Sequence, residues 1–269
     1  MPARPETARP FHDLHREGIL VLANAWDAGS ARLIESLGAR AIATTSAGVA
    51  WAHGYPDGDF LPIDRVVATV ESIARVVSAP ITADVEGGYS DDPAQAAANV
   101  ARVIEAGAVG INIEDGAGPV ELLCAKIEAI RETADRLGVH LFINARCDVF
   151  LRGLVEQPQR VGETLSRAER YRAAGASGLF APGIFASEDI RAVAEGCGLP
   201  LNVMARPGLP PAPELAALGV RRLSAGADLA ESLFGRLKAL AAPFLEDGVC
   251  DPLQAEAMPY PELNRLMRR

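Results

Sequence analysis

Positive charge is in short supply: 26 Lys and Arg face 35 Asp and Glu, a formal charge of −9. That balance argues against nucleic acid or an anionic membrane as a partner. The four cysteines, Cys124, Cys147, Cys197 and Cys250, are scattered and form no C-x-x-C pair. No disulfide framework is expected, and reduced thiols in a cytoplasmic protein are the natural state. No apolar run is long enough to span a bilayer. Residues 1–10 are polar and proline-rich, with no apolar centre of the kind a secretory signal has. After the first apolar strand comes Asn24-Ala25-Trp26-Asp27-Ala28-Gly29, which lacks the glycine spacing of a dinucleotide-binding turn. What remains is 269 residues, 49% hydrophobic, enough for one large core. We read residues 1–269 as one domain, with 249–269 as a helical tail.

A helix ending in Gly and feeding a short apolar strand recurs at Gly38, Gly107, Gly175 and Gly219. Glycine suits the left-handed turn past a helix end. The first three are evenly spaced, two strand–helix units of roughly 35 residues apart. Filling in the pattern predicts eight strands near 19–24, 41–46, 81–86, 110–114, 140–146, 178–182, 200–204 and 221–225. Ile63, Val66, Val67, Val70, Ile73, Ala74 and Val77 mark an amphipathic helix over 63–77. Asp92, Pro93 and Gln95 announce another helix, as cap, first turn and capping-box partner. Eight alternating units predict an α/β fold, a closed (β/α)8 TIM barrel.

Working residues of such barrels sit where strands end. Here those ends carry Asp27, Thr44 and Ser46, Asp84 and Glu86, Glu114 and Asp115, Arg146 and Asp148, and Arg206. Alternation puts Thr82, Asp84 and Glu86 on one side of their strand, Glu114 with Asn112, and Arg146 with Asn144. Two acids beside each other at a buried strand end raise each other's pKa unless a cation lies between them, and a divalent ion is the simplest one. The plain alternative is a solvated loop. For Arg146 the plain alternative is an ion pair with Asp148 or Glu114. Cys147 points to the helix layer and Cys124 starts a helix, so both read as core residues. Asp115 and Asp148 read as loop braces, and His53 as an exposed loop residue. Ser224-Ala225-Gly226-Ala227-Asp228 leaves open a phosphate-binding barrel.

Several segments, in order, resemble the isocitrate lyase and phosphoenolpyruvate mutase superfamily. They are Asn24-Ala25-Trp26-Asp27, Thr45-Ser46-Ala47-Gly48-Val49, Gly54-Tyr55-Pro56-Asp57, Ala83-Asp84-Val85-Glu86-Gly87-Gly88-Tyr89, Gly110-Ile111-Asn112-Ile113-Glu114-Asp115 and Ile143-Asn144-Ala145-Arg146-Cys147-Asp148. The resemblance runs from about Phe11 to Leu266. It implies that Asp84, Glu86 and Glu114 hold Mg2+ (Mn2+ as the alternative ion), largely through waters. Glu86 stands where the family more often has aspartate. Ser46 and the amides of Ala47 and Gly48 would receive a substrate carboxylate, with Trp26, Asp27, Asp84, Arg146 and Asn202 also at the substrate. Asp57 and Arg146 would be the catalytic pair, and a cation such as Arg146 facing developing negative charge is worth roughly 3 kcal/mol.

The family's lyases carry a Lys-Lys/Arg-Cys-Gly-His loop after strand four, where this chain has Gly116-Ala117-Gly118-Pro119-Val120-Glu121. Pro182 and Met204 stand where the lyases have a glutamate and an asparagine. The implied activity is therefore Mg2+-dependent cleavage of a C–C (less readily a P–C) bond in a small 2-oxo acid such as oxaloacetate. The alternatives are a 2-oxo acid (2-oxoglutarate or pyruvate) binding protein without turnover, and a 2-methylisocitrate lyase-like or phosphonopyruvate-cleaving enzyme. The resemblance also implies a homo-oligomer, a dimer or dimer of dimers, that exchanges its last helix. Leu229, Leu233, Leu237 and Leu240, then Leu253, Met258, Leu263, Leu266 and Met267, would be covered that way.

Overall fold

The computed structural model describes residues 4–268; residues 1–3 and 269, at the ends of the expected domain, lie outside the described residues. Among the described residues nine strands, all parallel, run β1 (Leu20–Leu22), β2 (Asn24–Ala25), β3 (Ile42–Thr44), β4 (Ile81–Asp84), β5 (Ala108–Glu114), β6 (Phe142–Arg146), β7 (Gly178–Phe180), β8 (Leu201–Met204) and β9 (Val220–Ser224). Their order is β1-β9-β8-β7-β6-β5-β4-β3-β2. The expected first strand is thus two short pieces. β1 pairs with β9 and β2 with β3, so the chain on either side of Ala23 joins the two edges of the sheet. The sheet curls into a nearly closed α/β barrel with helices outside, a TIM barrel of the predicted kind. Among the described residues, closure leaves no long unpaired edge.

The helix layer follows the apolar pattern. Ile63–Val76 buries Val66, Val70, Ile73, Ala74 and Val76. Pro93–Glu105 starts at Asp92, whose Oδ1 accepts the Ala94 N–H at 3.1 Å. Gln95 does not complete the capping box; its amide donates to Asn99 Oδ1 along the helix at 3.1 Å. The four helix-ending glycines all have positive φ. At Gly107 (φ 120°) a Cβ would also stand 3.0 Å from that of Ala74, so this turn is doubly closed to other residues.

One element escaped the periodicity. A helix over Pro5–Asp13 closes the N-terminal end of the barrel, with Pro5 in its first turn. Phe11 is fully buried and packs edge-on against Phe142 at 5.4 Å. His15, also buried, stacks on the same ring at 4.0 Å. At the other end of the chain, Asp228–Asp247 forms a long helix exposing Leu233 (55%), Phe234 (46%) and Leu237 (60%). The tail continues as two short helices, and Arg32 Nε donates to Leu266 O at 3.0 Å across to the helix Ala28–Ser36. No helix among the described residues is long and apolar enough to cross a membrane.

Candidate active site

Register aligns the site. Asp84, Asn112 and Asn144 are neighbours across β4, β5 and β6, and one step nearer the strand ends lie Glu114, Arg146 and Phe180. Above them opens a cavity of about 200 Å³, lined among others by Ser46, Ala47, Asp57, Asp84, Asn112 and Arg146. A second hollow of about 280 Å³ adjoins at Glu114, bordered by Gly58, Asp59, the 116–118 turn and Arg152. A space of this size suits a molecule of a few heavy atoms.

Asp84 is fixed from several sides. Its N–H donates to Thr44 Oγ1 at 2.8 Å, and its carboxylate accepts from Ser46 Oγ and the Glu86 N–H, both at 3.3 Å. Burial pushes its pKa up, against the pull of Arg146. Glu86 departs from strand alternation. The strand ends at Asp84, and Glu86 adopts φ 50°, turning its carboxylate toward the loop before Phe60. There Oε2 accepts the Gly58 N–H at 2.8 Å and the Asp59 N–H. Asp59 (φ 62°) returns the contact, its Oδ1 accepting from Gly87 and Tyr89 at 3.3 and 3.2 Å. Non-glycine residues at positive φ cost about 1–3 kcal/mol each and persist where contacts over-determine them. Glu86 Oε1 is left buried with no hydrogen-bond partner among the described residues. Burial, together with Asp59, Asp57 and Asp84, pushes this carboxyl up to about 7.

Glu114 and Arg146 meet at 2.6 Å, and the same guanidinium forks onto Asp148 at 2.6 and 3.0 Å. Both alternatives expected for an Arg146 ion pair are therefore present. Burial pushes the Glu114 carboxyl up to about 8 against the Arg146 charge, with Asp84 pushing it further. The bracing role read for Asp115 and Asp148 is also present. Asp115 accepts from the Asp148 N–H (2.9 Å), Arg167 (2.7 Å) and the Tyr171 hydroxyl (2.6 Å).

Several expected residues lie elsewhere. Asp27 caps the helix Ala28–Ser36, its Oδ1 accepting the Ser30 N–H at 2.7 Å. With Trp26 it borders an outer depression rather than the central cavity. Gly48 is packed under Trp26, where a Cβ would stand 3.0 Å from that of the indole. Asn202 is sealed below the floor, its Nδ2 donating to Ser224 Oγ at 3.2 Å. Arg206 turns away to Gly183 O and the Phe185 ring. In the 224–228 turn the Gly226 N–H is taken by Asn24 Oδ1 at 3.0 Å, and Asp228 faces the cavity, an unfavourable lining for phosphate. Cys147 is fully buried and pushed up to about 12 by burial, as a core thiol should be. His53 bonds Thr69 Oγ1 at 3.0 Å.

Two residues were missed. Asp59 lay in a loop without periodicity. Arg222 was legible: Arg221 and Arg222 are adjacent on a strand, so one of them must point into the barrel.

The acids fit a hydrated ion better than a bare one. Among the described residues, no three His, Cys, Asp or Glu side chains form a group that could hold a metal ion. Yet Asp84, Glu86 and Glu114 are all pushed toward their neutral forms, and Glu86 Oε1 is an orphaned buried acceptor. Mg2+ keeps several waters and needs only one or two direct carboxylates.

Residues 11–245 match the family model for phosphoenolpyruvate phosphomutase. The chain belongs to that family. An uncharacterized protein of Mycobacterium tuberculosis is 36% identical over 259 residues, covering 94% of both chains. The oxaloacetate decarboxylase of a Bradyrhizobium species is 28% identical over 261 residues, covering 91% of this chain and 86% of its own. The crystal structure of a phosphonopyruvate hydrolase in complex with oxalate and Mg2+ superposes with a TM-score of 0.83 at 22% identity, covering 97% and 94%, which speaks for the shared fold. The wider superfamily joins lyases and mutases, and an enzyme is the reading these relatives support.

Proposed function

We propose that this chain is a Mg2+-dependent enzyme that cleaves, in a small 2-oxo acid such as oxaloacetate, the C–C bond one carbon beyond the carbonyl (C3–C4), so that the outer carboxylate leaves as CO2 and the electron pair stays on the carbon beside the carbonyl. The observation that carries the reading is Glu86 Oε1, a buried, unpartnered acceptor beside two further acids held above their ordinary range. Asp84, Glu86 and Glu114 would hold the ion, largely through water. When bound, Mg2+ supplies the Lewis acidity such a cleavage needs. Ser46 Oγ, with the amides of Ala47 and Gly48 at the start of the helix Ser46–Ala52, receives the substrate carboxylate. Arg146 places a planar cation where negative charge gathers on the substrate oxygen as the bond breaks, braced by Asp148 so that it need not move. Asp57, exposed on the cavity wall, is the group placed to exchange a proton with solvent.

Pyruvate release from oxaloacetate, dependent on Mg2+, is the expected result, and Asp84→Ala should abolish it while leaving the circular dichroism spectrum intact. A purified protein that leaves every small 2-oxo acid unchanged in Mg2+ defeats the proposal. A second reading, a 2-oxo acid binding protein without turnover, is favoured by a lining that, among the described residues, contains neither thiol nor imidazole. Micromolar binding of 2-oxoglutarate or pyruvate without turnover would select it. The exposed apolar side chains of the helix Asp228–Asp247 suit a second copy of the chain, so a homo-oligomer is part of the proposal.

A further inference from the structure

Beneath the cavity the barrel is polar where such barrels are usually filled with branched apolar side chains. Arg222, 1% exposed, extends from β9 across the bore to β5, four places round the sheet, where Nη2 donates to Asn112 Oδ1 at 3.2 Å. Its Nε and Nη1 have no hydrogen-bond partner among the described residues. Other orphaned buried polar atoms belong to the same barrel interior: Thr82 Oγ1 on β4, Asn144 Oδ1 on β6, Asn202 Oδ1 on β8, and Nε2 of His15 at the closed end. Glycine makes room for this layer, since a Cβ on Gly178 would stand 2.8 Å from Asn144 Oδ1.

The chemistry of the orphans selects their ligand. Arg222 offers two donors, Asn144 and Asn202 offer acceptors, and the Thr82 hydroxyl can be either. An anion would satisfy the arginine but face the acceptors, and a cation would face the arginine. Water satisfies both kinds, and buried water typically makes about three such bonds.

Arg222 also decides an orientation. A guanidinium only donates, so the Asn112 atom facing it must be the oxygen. That oxygen accepts Asn144 Nδ2 as well, at 2.9 Å. Asn112 lines the cavity, and its Nδ2 makes no hydrogen bond within the described residues. We infer that Arg222 is a positioning residue, set in an enclosed layer of water, that holds the Asn112 amide so that its Nδ2 serves as an N–H donor to a 2-oxo acid at the cavity floor. The inference rests on the proposed ligand class. Without Arg222 the amide can turn over and present an oxygen to an anion, which weakens binding. Burial works against the Arg222 charge, so an apolar residue of similar volume in its place is expected to leave the fold no less stable.

The test is calorimetric titration of oxalate, a dicarboxylate of the right size, in saturating Mg2+ into wild type, Arg222→Met and Arg222→Lys. Titration of Mn2+ alone and thermal melts accompany it. R222M should weaken oxalate binding about tenfold, the loss of one hydrogen bond to a charged group, move Mn2+ affinity less than about threefold, and melt no lower than wild type; R222K should recover most of the loss. If R222M binds oxalate as wild type does, or if oxalate, Mn2+ and the melting temperature all fall together, the inference fails and Arg222 is only structural. Should R222M not fold, Arg222→Gln carries the same comparison. The two levels separate cleanly: oxalate binding by wild type tests the ligand class, and the contrast between wild type and variant tests Arg222.

Discussion

Replacing Arg146 by Met offers the sharpest single perturbation of the mouth. Wild-type Arg146 touches Glu114 and Asp148 at 2.6 Å each, with side-chain exposures of 17%, 17% and 0%. Asp148 keeps Arg152 at 2.9 Å, but Glu114 loses the one cation it touches among the described residues. Where Glu114 is ionised, stripping its partner costs about 3–5 kcal/mol, since the remaining charge has nothing to offset its desolvation. The loss carries a pH signature. The folded Glu114 carboxyl already lies near 8 against an unfolded value of 4.5, so its ionisation works against folding. The penalty is absent below about 4.5, where both states are protonated, and grows as pH rises toward 8. Removing the guanidinium takes away the opposing pull and lifts the folded value further, so the two proteins diverge only above about pH 8, where wild-type Glu114 ionises and that of the variant does not. Urea unfolding of wild type and R146M without added divalent ion, at about pH 6 and about pH 9.5, should therefore show a larger difference at the higher pH. Equal differences at the two pH values, or a loss under about 1 kcal/mol, would refute the idea that this arginine neutralises a buried acid.

Two other outcomes are expected. Burial and Arg222 hold His15 down to about 3 from 6.5, so the unfolded chain takes up the proton first as pH falls. Stability should be complete above about 6.5 and decline below it by about 1.4 kcal/mol per unit from this group, and His15→Asn should flatten the decline; an unchanged slope in urea melts would count against it. Burial pushes the Cys147 thiol up to about 12 and raises that of Cys197, whereas Cys250 is exposed. A brief reaction with a disulfide reagent, read by peptide mass spectrometry, should label Cys250 and spare Cys147; rapid labelling of Cys147 contradicts its place in the core.

What could be read from sequence followed the range of the interactions involved. Inward pointing of Glu114 with Asn112 and of Arg146 with Asn144 depends only on alternation along one strand, and the register bears it out. The helix-ending glycines are equally local and kept their role. Glu86 broke the same alternation because its carboxylate is held by Gly58 and Asp59 on another loop, a contact that no period announces. Asp27 read as a rim acid and became a helix cap, a competition between local bonding and site chemistry that the Ser30 three residues on could have flagged. The split of the first strand at Ala23 arises where the sheet closes on itself, a property of the whole barrel rather than of its first segment. The helix Pro5–Asp13 was hidden by prolines, although Ala8, Phe11 and His15 already stood at helical spacing.

The most direct measurement is titration of Mg2+ into wild type and into a Glu86→Gln, Glu114→Gln double variant, followed by heat and by thermal shift. One site per chain, raising the melting temperature of wild type and lost in the double variant, is the predicted result. Binding of equal strength in both proteins, or none at millimolar Mg2+ in either, would contradict the claim that these carboxylates gather at the mouth to hold a divalent ion.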